Sequence, residues 1–122
     1  DAERRPHRMT TPNGSAILEW PLATASIFGL RLPVAGGGYF RLFPYWLSRW
    51  GLESINGREA RPFIFYLHPW EIDPGQPRVP ASWLSRFRHY TNLHKCEERL
   101  RRLLGEFEFA PAREGLAQLG LL

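Results

Sequence analysis

The residues best placed to do chemistry are His68, Trp70, Glu71 and Asp73, all within the stretch His68-Pro69-Trp70-Glu71-Ile72-Asp73-Pro74. An imidazole exchanges protons near neutral pH, nearby carboxylates can orient it, and an indole offers a flat apolar face to a ligand ring. The group follows the apolar run Pro62-Phe63-Ile64-Phe65-Tyr66-Leu67. A run of this kind, bounded by proline and rich in β-formers, predicts a strand buried on both faces, as in parallel sheets. At a period of two, Ile64, Tyr66 and His68 share one face, and Phe63, Phe65 and Leu67 the other. His68 ends the strand, because Pro69 has no N–H to donate to a neighbour. Ligands of α/β sheets bind just beyond the carboxyl ends of strands. His68 is therefore a candidate proton donor, and equally a candidate for an inert, hydrogen-bonded structural histidine.

The elements that must position this group read as follows. Asp1 to Gly14 is polar and extended, and Asn13-Gly14 signals a turn. Ala16 to Leu22 is a short strand ending at Pro21, with Glu19 as its one charge. Ile27 to Val34 is a loop with some strand character, broken by Gly29 and Pro33. Gly36-Gly37-Gly38 allows positive φ and close backbone approach to a ligand, or serves only as a connector; the Lys-Ser/Thr of a phosphate-binding loop does not follow it. Pro44 opens a helix whose apolar face is Phe43, Trp46, Leu47, Trp50 and Ile55, ending at Asn56-Gly57. Asn92 caps the longest helix, with Leu93, Cys96, Leu100, Leu103, Leu104 and Phe107 on one face and Lys95, Glu97, Glu98, Arg99, Arg101 and Arg102 on the rest. Phe107-Glu108-Phe109 reads as a short final strand, and Arg113 to Leu122 as a terminal helix.

The chain of 122 residues is long enough for one domain with a core. No window approaches the length of apolar sequence that spans a membrane, and Asp1 to Arg8 does not resemble a secretory signal. With one cysteine, Cys96, neither an intrachain disulfide nor a multi-cysteine metal site can form. Sixteen basic residues face twelve acidic ones, and Lys95 is the only lysine. Arginine favours carboxylates and phosphates, which fits an acidic polysaccharide, nucleic acid, or plain compositional bias. The Arg86, Arg88, His89 cluster beside Phe87 and Tyr90 is the feature closest to a nucleic-acid site, and it is short.

Several kinds of chemistry are missing. His7, His68, His89 and His94 include no i, i+4 pair, and there is no Asp-Asp pair or Gly-x-Ser-x-Gly elbow. The chain holds a plausible acid but no evident base, nucleophile or metal cage. It also has too few strands to cover the central run on both faces, so the expectation is the closing part of a larger α/β domain, beginning upstream of Asp1.

Gly36-Gly37-Gly38-Tyr39-Phe40-Arg41, Pro44-Tyr45-Trp46-Leu47 and Phe65-Tyr66-Leu67-His68-Pro69-Trp70-Glu71-Ile72-Asp73-Pro74 together carry a resemblance. They look like the C-terminal region of bacterial polysaccharide deacetylases of the NodB-homology family. The most similar branch is the exosortase-associated exopolysaccharide deacetylases, in which this region is a domain of unknown function. The resemblance runs on through Arg99 to Leu104, and so covers nearly the whole chain. It implies an α/β fold, the C-terminal part of a distorted (β/α) barrel, with few strands and a long amphipathic C-terminal helix. It implies removal of N-acetyl groups from a polysaccharide with a divalent metal, usually zinc, held by an N-terminal portion that residues 1–122 lack; this chain alone would bind no metal and be inactive.

In that family a histidine near the C-terminus protonates the departing amine, and His68 matches it. Trp20, Tyr39, Tyr66 and Trp70 are the candidate sugar-contacting residues. Glu19, Glu71 and Asp73 are the candidate supporting carboxylates, Glu19-Trp20 standing roughly where the family has a groove-forming motif. The family's usual Leu-x-His is here Tyr66-Leu67-His68, which changes the acetyl pocket. The expected partners are an N-acetylated polysaccharide and the rest of the same domain, in the bacterial cytoplasm or at the cell envelope, with no membrane span and no nucleic acid. The alternative is a non-catalytic carbohydrate-binding or interaction module, suggested by five tryptophans and the lack of metal ligands.

Overall fold

A computed structural model describes residues 3–122. The first half begins with two hairpins. Strands β1 (His7–Thr10) and β2 (Ala16–Glu19) pair antiparallel, with His7 opposite Glu19 and Thr10 opposite Ala16. The Asn13-Gly14 turn closes them: the Asn13 side chain accepts from the Ser15 N–H at 3.2 Å, and Gly14 takes φ 84°. Strand β1 lies in the segment expected to be merely extended. Strands β3 (Thr24–Ile27) and β4 (Leu30–Pro33) form the second hairpin, Ile27 opposite Leu30. Its two-residue turn is Phe28-Gly29, with φ 47° and 81°. Two successive left-handed residues match the right-handed twist of a hairpin, so the supposed loop closes as a turn even though Phe28 is not a residue that favours it.

Helices follow: α1 (Gly37–Leu42), α2 (Tyr45–Glu53) continuing as a π turn to Arg58, α3 (Trp83–Tyr90), α4 (Leu93–Glu106) and α5 (Ala112–Gln118). The protein is thus a small mixed α/β domain of helices and two small antiparallel sheets. None of the described residues is in a helix long and apolar enough to cross a membrane.

The central run departs from its expected form. Phe63 to Leu67 is extended but joins no sheet; its one β-bridge among the described residues is parallel, between Tyr66 and Gly36. The Gly37 N–H donates to the Tyr66 carbonyl at 3.0 Å, and the Tyr66 N–H to the Ala35 carbonyl at 3.1 Å. The two-residue alternation nevertheless holds. Phe63, Phe65 and Leu67 pack on the core, whereas Tyr66 and His68 are exposed. Burial on both faces would need cover on the outer side, and none of the described elements supplies it. Phe107 to Phe109 is likewise not a strand; the chain leaves α4 there as coil, with Phe63 edge-on to both Phe107 and Phe109.

The core joins Ala23, Ala25, Val34 and Ala35 to Phe40, Leu52, Ile55, Cys96 and Leu103. Helix α2 keeps only part of the expected face inward: Ile55 is in the core and Trp50 packs against it. Ser48, Gly51, Leu52 and Ile55 are buried, while Trp46 is 67% exposed. The cause is Gly51: a Cβ there would lie 2.7 Å from Val34 Cγ1, so the small side of the helix can seat against β4's continuation where a tryptophan face cannot. On α4, Leu93, Cys96 and Leu103 are buried and Leu104 is exposed.

An ionic knot ties the N-terminal segment down. Arg61, nearly buried, bonds Glu59 Oε2 through Nε at 2.9 Å and donates to the Arg4 carbonyl at 2.6 Å; Arg4 reaches the same carboxylate at 3.0 Å. Burial works to raise the Glu59 pKa, but the two guanidinium groups outweigh it and hold the carboxyl below its ordinary value. A depressed folded-state pKa contributes stability above the unfolded value that is lost as pH falls through the folded one. Glu59→Gln should therefore lower the urea midpoint at neutral pH, and the gap from the parent should close in acid. A pH-independent gap would remove the ion pair as its cause.

Candidate functional site

The sequence Gly36-Gly37 brings α1 onto the extended segment. Gly36 has φ 116°, and a Cβ there would sit 1.9 Å from the Tyr66 carbonyl oxygen. At Gly37 (φ 58°) a Cβ would meet the Tyr66 hydroxyl at 2.5 Å. Only glycine fits either place. Two of the three glycines are therefore contact points for Tyr66, and Gly37 and Gly38 also line the cleft beside it.

One turn into α1, Arg41 points inward and is 1% exposed. Its Nε bonds Glu71 Oε1 at 3.0 Å. Its terminal nitrogens donate to the carbonyls of His89 and Thr91, each at 2.9 Å, and of Arg88 at 3.1 Å. Those are carbonyls at the C-terminal end of α3, where no intrahelical donor reaches; a cation is favoured there also by the helix dipole. Arg99 does the same for α1, donating through one nitrogen to the carbonyls of Phe40, Arg41 and Phe43. The periodicity had assigned Arg99 to the solvated face. Asn92 stands at the N-cap of α4 as expected, but with a left-handed φ of 57°, and its side-chain amide donates to the Arg41 carbonyl at 2.8 Å and makes no capping bond to the helix.

Glu71 is fully buried. Its second oxygen accepts the main-chain N–H of His68 at 3.0 Å, across the short 3₁₀ turn Pro69–Ile72. The carboxylate thus fixes the backbone of the histidine, not its ring. The imidazole projects into solvent, edge-on to Tyr66 with centroids 5.9 Å apart and parallel to Trp70 at the same separation. Trp70 also stacks on His89 at 4.1 Å and carries the Arg41 guanidinium 5.0 Å from its ring centroid. Gln76 closes the arrangement: its oxygen lies 2.9 Å from His89 Nε2, and its amide nitrogen donates to the Trp70 carbonyl at 2.7 Å.

The result is an open cleft of about 290 Å³ lined by Gly37, Gly38, Tyr66, His68, Trp70 and Arg88 among others. A second hollow bordered by Tyr39, Leu42, Tyr66 and Arg88 shares Gly38 with it. So Tyr39, Tyr66, His68, Trp70 and Glu71 come together. Three other candidates do not. Glu19 faces His7 across the first hairpin at 3.5 Å. Trp20 lines a separate cleft with Phe63, Phe109 and Pro111, its ring against α5 at Gly115. Asp73 turns away and accepts the Gly75 N–H at 2.9 Å. Sequence reasoning missed Arg41, Gln76 and Arg88 as parts of this site. The available signal was that Gly36 to Phe43 holds one charge and the His-Pro-Trp-Glu stretch one unmatched buried carboxylate, and each needed the other.

Chemically, the cleft offers one exposed imidazole on a rigid backbone, aromatic walls and a guanidinium. An imidazole so placed can pass a proton to a bound ligand. Cys96 is no nucleophile: burial, and then the Glu71 charge, push its thiol up to about 11. The residues present do not fit a divalent metal, since no group of three or more His, Cys, Asp and Glu among the described residues could hold one.

The chain matches the family described as Domain of unknown function (DUF3473) over residues 1–117. It belongs to that family. No curated protein and no solved structure matches it.

The Arg41–Glu71 pair should be costly to break from one side, because a lone buried charge remains. Arg41→Met or Glu71→Leu alone should each cost about 3–5 kcal/mol in urea unfolding. The double variant should be less damaging than the sum by about 0.5–3 kcal/mol. Strict additivity would mean that the two side chains do not depend on one another.

Proposed function

We propose that this chain is the C-terminal segment of a metal-dependent polysaccharide deacetylase acting on N-acetyl groups of a bacterial exopolysaccharide, and that His68 is its general acid. The observation that carries the reading is the exposed His68 ring at the rim of the aromatic cleft, on a backbone clamped through Glu71 by a buried arginine. It stands with the resemblance borne by the Gly-Gly-Gly-Tyr-Phe-Arg and His-Pro-Trp-Glu-Ile-Asp-Pro motifs. Their members Arg41 and Glu71 form the buried pair, and Gly37 and Trp70 line the cleft.

Amide hydrolysis adds the elements of water across the C–N bond: the acyl carbon takes oxygen and the nitrogen takes a proton. An amine anion is too basic to leave, so protonation of that nitrogen must accompany cleavage. His68 supplies this proton and recovers one from solvent. Trp70 and Tyr66 wall the sugar ring, and the tyrosine at the position before Leu67-His68 puts a hydroxyl near the acyl group. The base and the metal ligands belong to other parts of the full-length protein. In this reading Phe63 to Leu67 is one strand of a distorted (β/α) barrel, lying beside strands supplied from the remainder of the domain. The uncovered outer face at Tyr66 and His68 supports that view.

In the full-length protein, His68→Ala should lower kcat by about 10²–10⁴-fold with little change in KM. The urea midpoint should move little, because His68 is exposed. Near-normal turnover in the variant would reject the assignment. Ordinary glycan binding by a full-length protein that releases no acetate would favour a non-catalytic carbohydrate-binding module instead.

A further inference from the structure

Charge is distributed unevenly along this chain. Residues 74–96 contain Arg78, Arg86, Arg88 and Lys95 and not one Asp or Glu. The other twelve basic residues balance the twelve acidic ones, so the whole net charge of +4 resides in this one segment. The fold places its helical part, α3, as a wall of the His68 cleft, with Ser85, Arg88 and His89 lining it.

The ion pairs lie elsewhere: Glu59, Glu53, Glu106 and Glu97 serve Arg4, Arg61, Arg49, Arg101 and Arg102. Arg78, Arg86 and Arg88 form no ion pair among the described residues. Arg78 lies 4.2 Å over the Tyr90 ring, and Arg88 borders both the cleft and the hollow beside Tyr39. Among the described residues the only carboxylate lining the cleft is Glu71, which is buried and committed to Arg41 and the His68 N–H. No described residue of the cleft therefore neutralises Arg88.

We infer that Arg88 is a specificity residue that binds a carboxylate on the glycan, so that the substrate class is an acidic, uronate-bearing polysaccharide. This rests on the reading of the cleft as a glycan site. The planar guanidinium takes a carboxylate in two parallel hydrogen bonds. The hydroxyls of Tyr39 and Tyr66, at the same hollow, suit the sugar's own hydroxyls. Nucleic acid would have to stack on the exposed rings of Trp83 and Phe87, which lie outside the cleft that Arg88 lines.

The test is calorimetric titration of the full-length protein at low ionic strength with three probes of equal length. They are hyaluronan oligosaccharides (uronate alternating with N-acetylglucosamine), neutral chitin oligosaccharides and oligothymidine. Hyaluronan should bind about 10- to 100-fold more tightly than chitin, and added salt should erode the difference. Arg88→Gln should abolish the preference with the melting temperature unchanged, and Arg88→Lys should restore only part of it. His68→Ala should keep the preference whole, so failure of the catalytic assignment shows in turnover and failure of this one in binding. Equal affinities for the two glycans, no binding of either, a preference that survives Arg88→Gln, or tighter binding of oligothymidine would overturn it.

Discussion

The buried pair between Arg41 and Glu71 holds the functional face of this protein together. Two charges leave water, a step that costs several kcal/mol per ion and is offset only where every remaining donor and acceptor is satisfied. Here they are. Arg41 gives three further hydrogen bonds to the exposed carbonyls of α3, and Glu71 takes the His68 N–H. One guanidinium thereby fixes α1, the end of α3 and the turn that carries the histidine. Hydrophobic packing alone is nondirectional and would not specify this junction.

The His68 backbone is anchored through Glu71, and its exposed ring stands at the rim of the cleft. A histidine bound through its own ring to a carboxylate would be oriented too, but with one nitrogen already committed. His89, on the far side of the aromatic group, illustrates the other use of the residue: its ring stacks on Trp70 and faces Gln76. The two histidines share an indole and differ in what they leave open.

The glycines explain how so small a domain can build such a site. Gly36 and Gly37 remove two side chains at the crossing of α1 and the extended segment, and Gly51 does so where α2 meets Val34. Close approach at these points leaves the bulky residues Tyr39, Trp46 and Tyr66 on the outside. That departs from the usual expectation for large aromatic residues, and it is why Trp46 leaves the apolar face assigned to α2 while Trp50 and Ile55 stay on the core side. Helix periodicity ranks faces by hydrophobicity, whereas packing ranks them by how closely backbones can approach.

Much was legible in the one-dimensional pattern. The Asn-Gly turn, the helix after Pro44, the amphipathic stripe of α4, the alternation of Phe63 to His68 and the grouping of His68, Trp70 and Glu71 all follow from local spacing. Local chemistry decides these features within a few residues. What lay out of reach is long-range: that the central run bridges only Gly36, that Phe107 to Phe109 stays coil, and that Glu19 and Trp20 lie apart from the cleft. The partnership of Arg41 with Glu71 belongs to the same class. The Gly36–Tyr66 bridge and the Arg41–Glu71 pair each join groups thirty residues apart, and a sequence states what a buried charge requires without stating where its counter-ion will be found.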